Sequence, residues 1–275
     1  MKLATRFGRN RTSARSHVPL TNEQILQVAP SIFAAEKHDS RSERYTYIPT
    51  INVLDKLREE GFQPFMVAQA RCRDEGKREF TKHLVRLRHV NQITKGEANE
   101  IILLNSHDGT SCYQMLSGFF RDVCTNGMVW GESVNDIRVP HKGRIIDNVI
   151  EGCFRVVEDF ELINGQVDGM KSLALEDGEQ QAFAHAALEF KYDTKNGTAP
   201  ITEDQLLQPQ RREDVGNDLW ATFNRVQERM IKGGLRGRTA NGRRMTTRAV
   251  SGIDSDIKLN RALWVLAEKM RQLKA

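Results

Sequence analysis

The residues best suited to chemistry in this chain are arginines. Between Arg229 and Ile253 stand Arg229, Lys232, Arg236, Arg238, Arg243, Arg244 and Arg248, with no Asp or Glu before Asp254. Such cations stay charged at neutral pH, and the guanidinium fork matches pairs of phosphate oxygens. An acid-free run of them suits the backbone of a polyanion. Gly233, Gly234, Gly237 and Gly242 interrupt the run and predict a flexible loop, while Thr239, Thr246 and Thr247 add hydroxyl donors. A helix capped by Asp218 leads in and another, opening at Asp254 and Ser255, leads out, so the loop is presented between ordered elements. The competing reading is a solvated basic loop with no partner.

Two other constellations compete with it. His107 and Asp108 near Cys124 and Asn126 suggest a thiol–imidazole pair, and His107, Asp108 and His141 with a water would suit zinc or manganese. Both pieces fall in turns, where Asp, Asn and Gly are expected for backbone reasons, and the spacing matches no metal signature. No residue is therefore assigned a catalytic or metal role. On the strand expected over Glu79–Val90, Lys82, Arg86 and Arg88 share one face, a second candidate nucleic-acid surface or a solvated outer face. His83, His89 and His185 read as surface residues. Tyr45, Tyr47, Phe62, Phe65, Phe119 and Phe120 are stacking candidates that read more simply as core.

The elements that must position these groups follow from pattern. Thr21 and Asn22 cap a short helix over Glu23–Val28, and Thr50 caps an amphipathic one stopped at Gly61. Phe62–Arg73 pairs with Glu79–Val90 across a turn at Asp74–Gly76. Glu100–Asn105 pairs with Thr110–Val123 across Ser106–Gly109, where Asp-Gly tolerates positive φ. Helical periodicity begins after Gly143, and Trp220 and Trp264 are expected between the last two helices. The fold class is α+β: an antiparallel sheet of about four to five strands, long helices, then a helix–basic loop–helix. The boundaries are a basic arm at 1–47, a core at 48–192, a linker at 193–217 and a helical segment at 218–275.

Composition narrows the function. The 275 residues are 39% hydrophobic and 28% charged, an ordinary globular balance, with no apolar run long enough to cross a bilayer. Cys72, Cys112, Cys124 and Cys153 form no C-x-x-C pair and predict a reduced, cytoplasmic setting. Charge is polarised: Glu151 to Asp193 holds ten acids against three cations, although the whole chain carries +5. No P-loop, G-x-G-x-x-G, H-E-x-x-H or G-x-S-x-G occurs, so no cofactor is called for.

Several motifs together resemble the YfjQ/YafZ-like family of prophage- and plasmid-borne proteins. They are Asn105-Ser106-His107-Asp108-Gly109-Thr110, the Arg121…Cys124-Thr125-Asn126-Gly127 turn, His141, Leu219–Arg225, Gly233–Arg238 and Lys258–Trp264. The resemblance implies a mobile element and a cytoplasmic setting; no reaction and no catalytic residue come with it. At the level of topology alone, helix, sheet and long helix is similar to the core of single-strand annealing proteins. The leading expectation is a non-enzymatic protein that binds nucleic acid, single-stranded DNA above all, and promotes annealing. The alternatives are a hydrolase centred on His107, Asp108, Cys124 and His141, and a module that blocks a host defence or replication protein through its acidic helices. A homo-oligomer and a host protein are further candidate partners; a membrane is not.

Overall fold

The computed structural model describes residues 11–35, 48–72, 75–92, 96–121, 127–131, 136–192 and 198–274. The first ten residues of the basic arm, Tyr45, Tyr47, Asp74, Cys124 and Asn126 lie outside them. Along the chain run β1 (Arg11–Arg15), α1 (Asn22–Val28), α2 (Thr50–Glu59), β2 (Phe62–Ala70), β3 (His83–His89), β4 (Glu97–Asn105), β5 (Tyr113–Arg121), β6 (Gly127–Val129) and β7 (Ile137–Val139). Then come α3 (Ile145–Glu158), α4 (Phe160–Ser172), α5 (Asp177–Lys191), α6 (Glu203–Leu207), α7 (Leu219–Lys232), β8 (Arg236–Arg238), β9 (Arg244–Thr246) and α8 (Ile253–Lys274). The α+β class holds. Two compact units result: one of Met1–Asp122, Glu132–Phe160 and Ser251–Ile253, the other of Val123–Gly131, Glu161–Val250 and Asp254–Ala275.

In the first unit six strands pair antiparallel in the order β1-β2-β3-β4-β5-β7, slightly more than the sequence pattern suggests. β1 comes from the segment read as an arm, and its Arg11–Arg15 pairs with Met66–Ala70. Across the sheet Val67, Val85, Leu103 and Met115 form one row, with the next row on the opposite face: Met66, Arg86, Ile102 and Leu116. Helix α3 covers the first face. Its buried Ile145, Val149, Cys153 and Val156 recur at helical spacing, and Gly152 leaves room for Met115, whose Cε would stand 2.2 Å from an added Cβ.

Capping follows the sequence except at one place. Thr21 and Gln24 form the anticipated capping box, and Gly61 ends α2 at φ 89°. Thr50, however, is not the cap of α2. Pro49 occupies that position without a side-chain bond, and the Thr50 hydroxyl turns into the protein.

The second unit is helical. Trp220 stacks on Phe223 at 5.5 Å, and Trp264 meets both edge-on at 6.2 and 5.9 Å, as their placement on the last long helices suggests. Gln166 Oε1 accepts from Trp130 Nε1 at 2.6 Å and Trp264 Nε1 at 3.1 Å. The supposed linker contains α6 and a 3-10 turn at Arg212–Asp214, and Gln181 Nε2 donates to Asp204 Oδ1 at 2.6 Å. The structure therefore groups α5, α6 and α7 together instead of dividing the chain at 193–217.

Candidate nucleic-acid interface

Arg236 to Thr246 forms an ordered two-stranded hairpin, a correction to the flexible loop inferred from its glycines. Arg236 pairs with Thr246, Gly237 with Met245, and Arg238 with Arg244. Gly242, at φ 75°, supplies the left-handed turn residue, and its N–H donates to Thr239 O at 2.8 Å. The base is stitched to its surroundings. Gly234 N donates to Thr247 O, Thr247 N to Leu235 O, and Val250 N to Ile231 O, each at 2.8 Å. The Thr247 hydroxyl accepts from Leu235 N at 3.0 Å.

A third segment clamps the hairpin: Arg238 N donates to Pro200 O at 2.9 Å, and Gln205 Nε2 to Arg236 O at 2.9 Å. Gly237 is what permits this. A Cβ there would stand 1.9 Å from the Pro200 carbonyl oxygen, a backbone atom that cannot swing aside. Gly237→Ala is expected to push the hairpin off Pro200 and destabilise the second unit by about 1–3 kcal/mol. Hydrogen exchange at the Arg238 amide checks it; unchanged protection would show that the clamp yields without loss.

Side chains alternate, so Arg236, Arg238, Arg244 and Thr246 share one face, opposite Gly237 and Met245. The six residues line an open groove of about 810 Å³. Arg236, Arg238, Arg243, Arg244 and Arg248 are all exposed, and among the described residues no ion pair neutralises any of them. Two acids of α6 bond to α5: Asp204 accepts from Gln181, and Glu203 lies 2.8 Å from His185. The other two cations of the run turn away. Arg229 is half-buried with Nε on Gln208 O at 3.3 Å, and Lys232 pairs with Glu228, which also binds Arg211 at 2.7 Å.

The strand cations have a different fate. Arg86 and Arg88 are buried and grip the equally buried Glu100 at 3.0 and 2.9 Å. Arg88 lies between Phe65 and Phe120, 4.5 and 4.1 Å from the ring centres. Burial alone would raise the Glu100 carboxyl, but Arg86, Arg88 and Arg15 outweigh it and hold it below the ordinary carboxylate range. That strand face is no open cationic strip, which corrects the second surface proposed for Lys82, Arg86 and Arg88; Lys82 is half-buried. Phe62, Phe65, Phe119 and Phe120 are buried and unavailable for stacking.

The motif histidines meet in a buried polar network. Thr50 Oγ1 lies 2.9 Å from His83 Nε2, 3.1 Å from His107 Nε2 and 3.1 Å from Asn105 Nδ2, and Asn105 Oδ1 is 3.0 Å from His141 Nε2. Proton positions follow from the fixed acceptors. His83 Nδ1 faces the Thr81 carbonyl at 3.2 Å, so the hydrogen sits there, and the Thr50 hydroxyl donates to Nε2. Thr50 then accepts from Asn105 and His107, while Tyr113 donates to Ile48 O at 3.2 Å. His83 is thus a core residue, contrary to its surface reading. Burial lowers the imidazoles, His83 to about 4 and His107 to about 2, with His141 also depressed by burial. Thr50, His83 and Tyr113 carry no local signal of this role; only the tertiary pairing assembles them.

Asp108 stays out of the network. Its Oδ1 accepts from Thr110 N at 2.9 Å and Thr110 Oγ1 at 2.6 Å, an Asx turn closed by Gly109 at φ 80°. Burial would raise its carboxyl, but these bonds hold it down. Arg121 is buried beside Glu97 at 3.8 Å, and Gly127 lies buried in β6. Among the described residues no three His, Cys, Asp or Glu side chains are arranged to hold a metal ion.

Residues 37–264 match the family described as a domain of unknown function, DUF932. The chain belongs to this family. Its similarity to UPF0380 protein YafZ of Escherichia coli strain K12 is 55% identity over 269 residues, covering 98% of this chain and 97% of that protein. UPF0380 protein YfjQ of the same strain is 55% identical over the same spans. No solved structure matches the chain. In this DUF932 chain both the histidine network and the hairpin lie inside the matched span, whereas β1 precedes it. Among the described residues no helix is long and apolar enough to cross a membrane.

Proposed function

We propose that this DUF932 protein binds nucleic acid through the Arg236–Thr246 hairpin, with single-stranded DNA the favoured ligand, in the cytoplasmic, mobile-element setting that the family resemblance implies. The observation that carries the reading is the set of exposed, unneutralised arginines on an anchored ribbon. Two other cationic clusters of the described chain are occupied: Arg86 and Arg88 by Glu100, Arg211 and Lys232 by Glu228. Arginines left in water beside an open groove favour a phosphate backbone, since each contact releases condensed counterions. No exposed large apolar side chain lies on the hairpin. That supports grip on phosphates rather than base stacking, and leaves the bases free to pair, which favours annealing as the outcome.

The test is anisotropy titration of labelled single- and double-stranded DNA at two salt concentrations. The unmodified protein should bind single strands more tightly, with a steep salt dependence. Replacing Arg236, Arg238 and Arg244 together by alanine should weaken binding on the order of 100-fold at low salt and flatten the log–log salt slope by about 2. Affinity and slope that survive the triple substitution would remove the hairpin from the interface.

A further inference from the structure

The two arginine-bearing rungs of the hairpin are not alike. Arg238 stands directly across from Arg244, whereas Arg236 stands across from Thr246. Directly opposed residues in an antiparallel pair hold their Cβ atoms about 4.5–5.5 Å apart, where like charges are destabilising. Arg238 and Arg244 nonetheless face each other in the open, with no described carboxylate between them. Arg238 is also held: its Nη1 donates to Gly242 O at 3.1 Å, fixing the guanidinium over the turn, next to exposed Arg243. A like-charged rung at the tip of an ordered ribbon breaks a local rule, and such violations concentrate where a ligand restores the balance.

Resting on the nucleic-acid reading above, we propose that the Arg238–Arg244 rung seats a terminal phosphomonoester of a strand, and that the Arg236–Thr246 rung takes the adjoining phosphodiester. Charge counting supports the assignment. A terminal phosphate carries about −1.5 to −2 at pH 7 on three acceptor oxygens, enough for two guanidinium forks. A phosphodiester carries one negative charge and meets one arginine and a hydroxyl. The rungs are two residues apart, about 6.6–6.8 Å along the strand. The tip therefore favours a strand end, while the base of the ribbon is indifferent to it.

The full-length protein is titrated with short labelled oligothymidylates bearing a 5′-phosphate, a 3′-phosphate or hydroxyls at both ends. One of the phosphorylated oligomers should bind roughly tenfold tighter than the dihydroxyl form. Inorganic phosphate should compete away that increment alone. Arg244→Ala should abolish the increment, and Arg236→Ala should weaken all three oligomers alike and retain it. Trp220 and Trp264, in the same unit as the hairpin, report by their emission that each variant is folded. Equal affinity for the three oligomers overturns the end-binding proposal yet leaves the hairpin as interface. Failure of all three to bind at low salt overturns both.

Discussion

Glu100→Ala is expected to destabilise the first unit by about 3–5 kcal/mol, because it removes the carboxylate that the buried Arg86 and Arg88 share. That is a large share of the roughly 5–15 kcal/mol typical of a whole domain. Paired, the cluster is tolerable: the carboxylate takes one arginine on each oxygen, and two aromatic rings flank Arg88. Without that carboxylate between them, the two guanidiniums repel each other in a low-dielectric interior. Urea unfolding followed by far-UV circular dichroism reads the loss. Trp130, Trp220 and Trp264 all lie in the second unit, so their emission reports that unit separately. Replacing Glu100, Arg86 and Arg88 together by methionine should recover much of the stability, since both strand guanidiniums then leave with the carboxylate they share. A Glu100→Ala midpoint equal to that of the unmodified protein would mean that water reaches the cluster.

The second large effect is acid lability above the range in which carboxylates titrate. His83 and His107 are neutral in the fold, with imidazoles depressed to about 4 and about 2, whereas unfolded histidine titrates near 6.5. As pH falls below about 6.5 the unfolded chain takes up protons that the folded chain refuses, so stability declines until the folded values are reached. Each histidine contributes a slope approaching 1.4 kcal/mol per pH unit, and the two together nearly 3 kcal/mol per unit, between about pH 6 and 4.5. His141, lowered in the same direction by burial, adds to the trend. The exposed His185, raised by its bond to Glu203, acts with the opposite sign. A proton added at His83 Nε2 would face the Thr50 hydroxyl hydrogen, so the network has to be rebuilt as well as charged. Urea midpoints measured from pH 7.5 to 4.5 should fall steeply below about 6.5, and His83→Gln with His107→Gln should flatten the curve. A flat profile in the unmodified protein would contradict the neutral network.

Much of the secondary structure was legible because its causes are local. Thr21, Gly61, Asp108-Gly109 and Asp218 act within a few residues of themselves, and the elements they bound stand where the pattern put them. The basic run was equally legible as composition, and its exposed arginines follow from there being no acid between Arg229 and Asp254. The hairpin was not. Its three-residue strands are too short for alternation to register, and its glycines serve a turn at Gly242 and a close approach at Gly237 that is explained only by Pro200, far away in sequence.

The strand arginines mark the same boundary. An alternating Lys82, Arg86, Arg88 reads alike for a solvated face and for a buried one, and the difference is Glu100, one strand over, which no periodicity connects to them. His83, His107 and His141 lie apart along the chain and become one network only because Thr50 and Asn105 stand between them. What the amino-acid sequence determined by itself was the class of fold, the positions of most elements and the place where positive charge accumulates. Which charges are buried and paired, and which remain open to a polyanion, was decided by tertiary structure, because pairing depends on neighbours that only strand register and packing bring together.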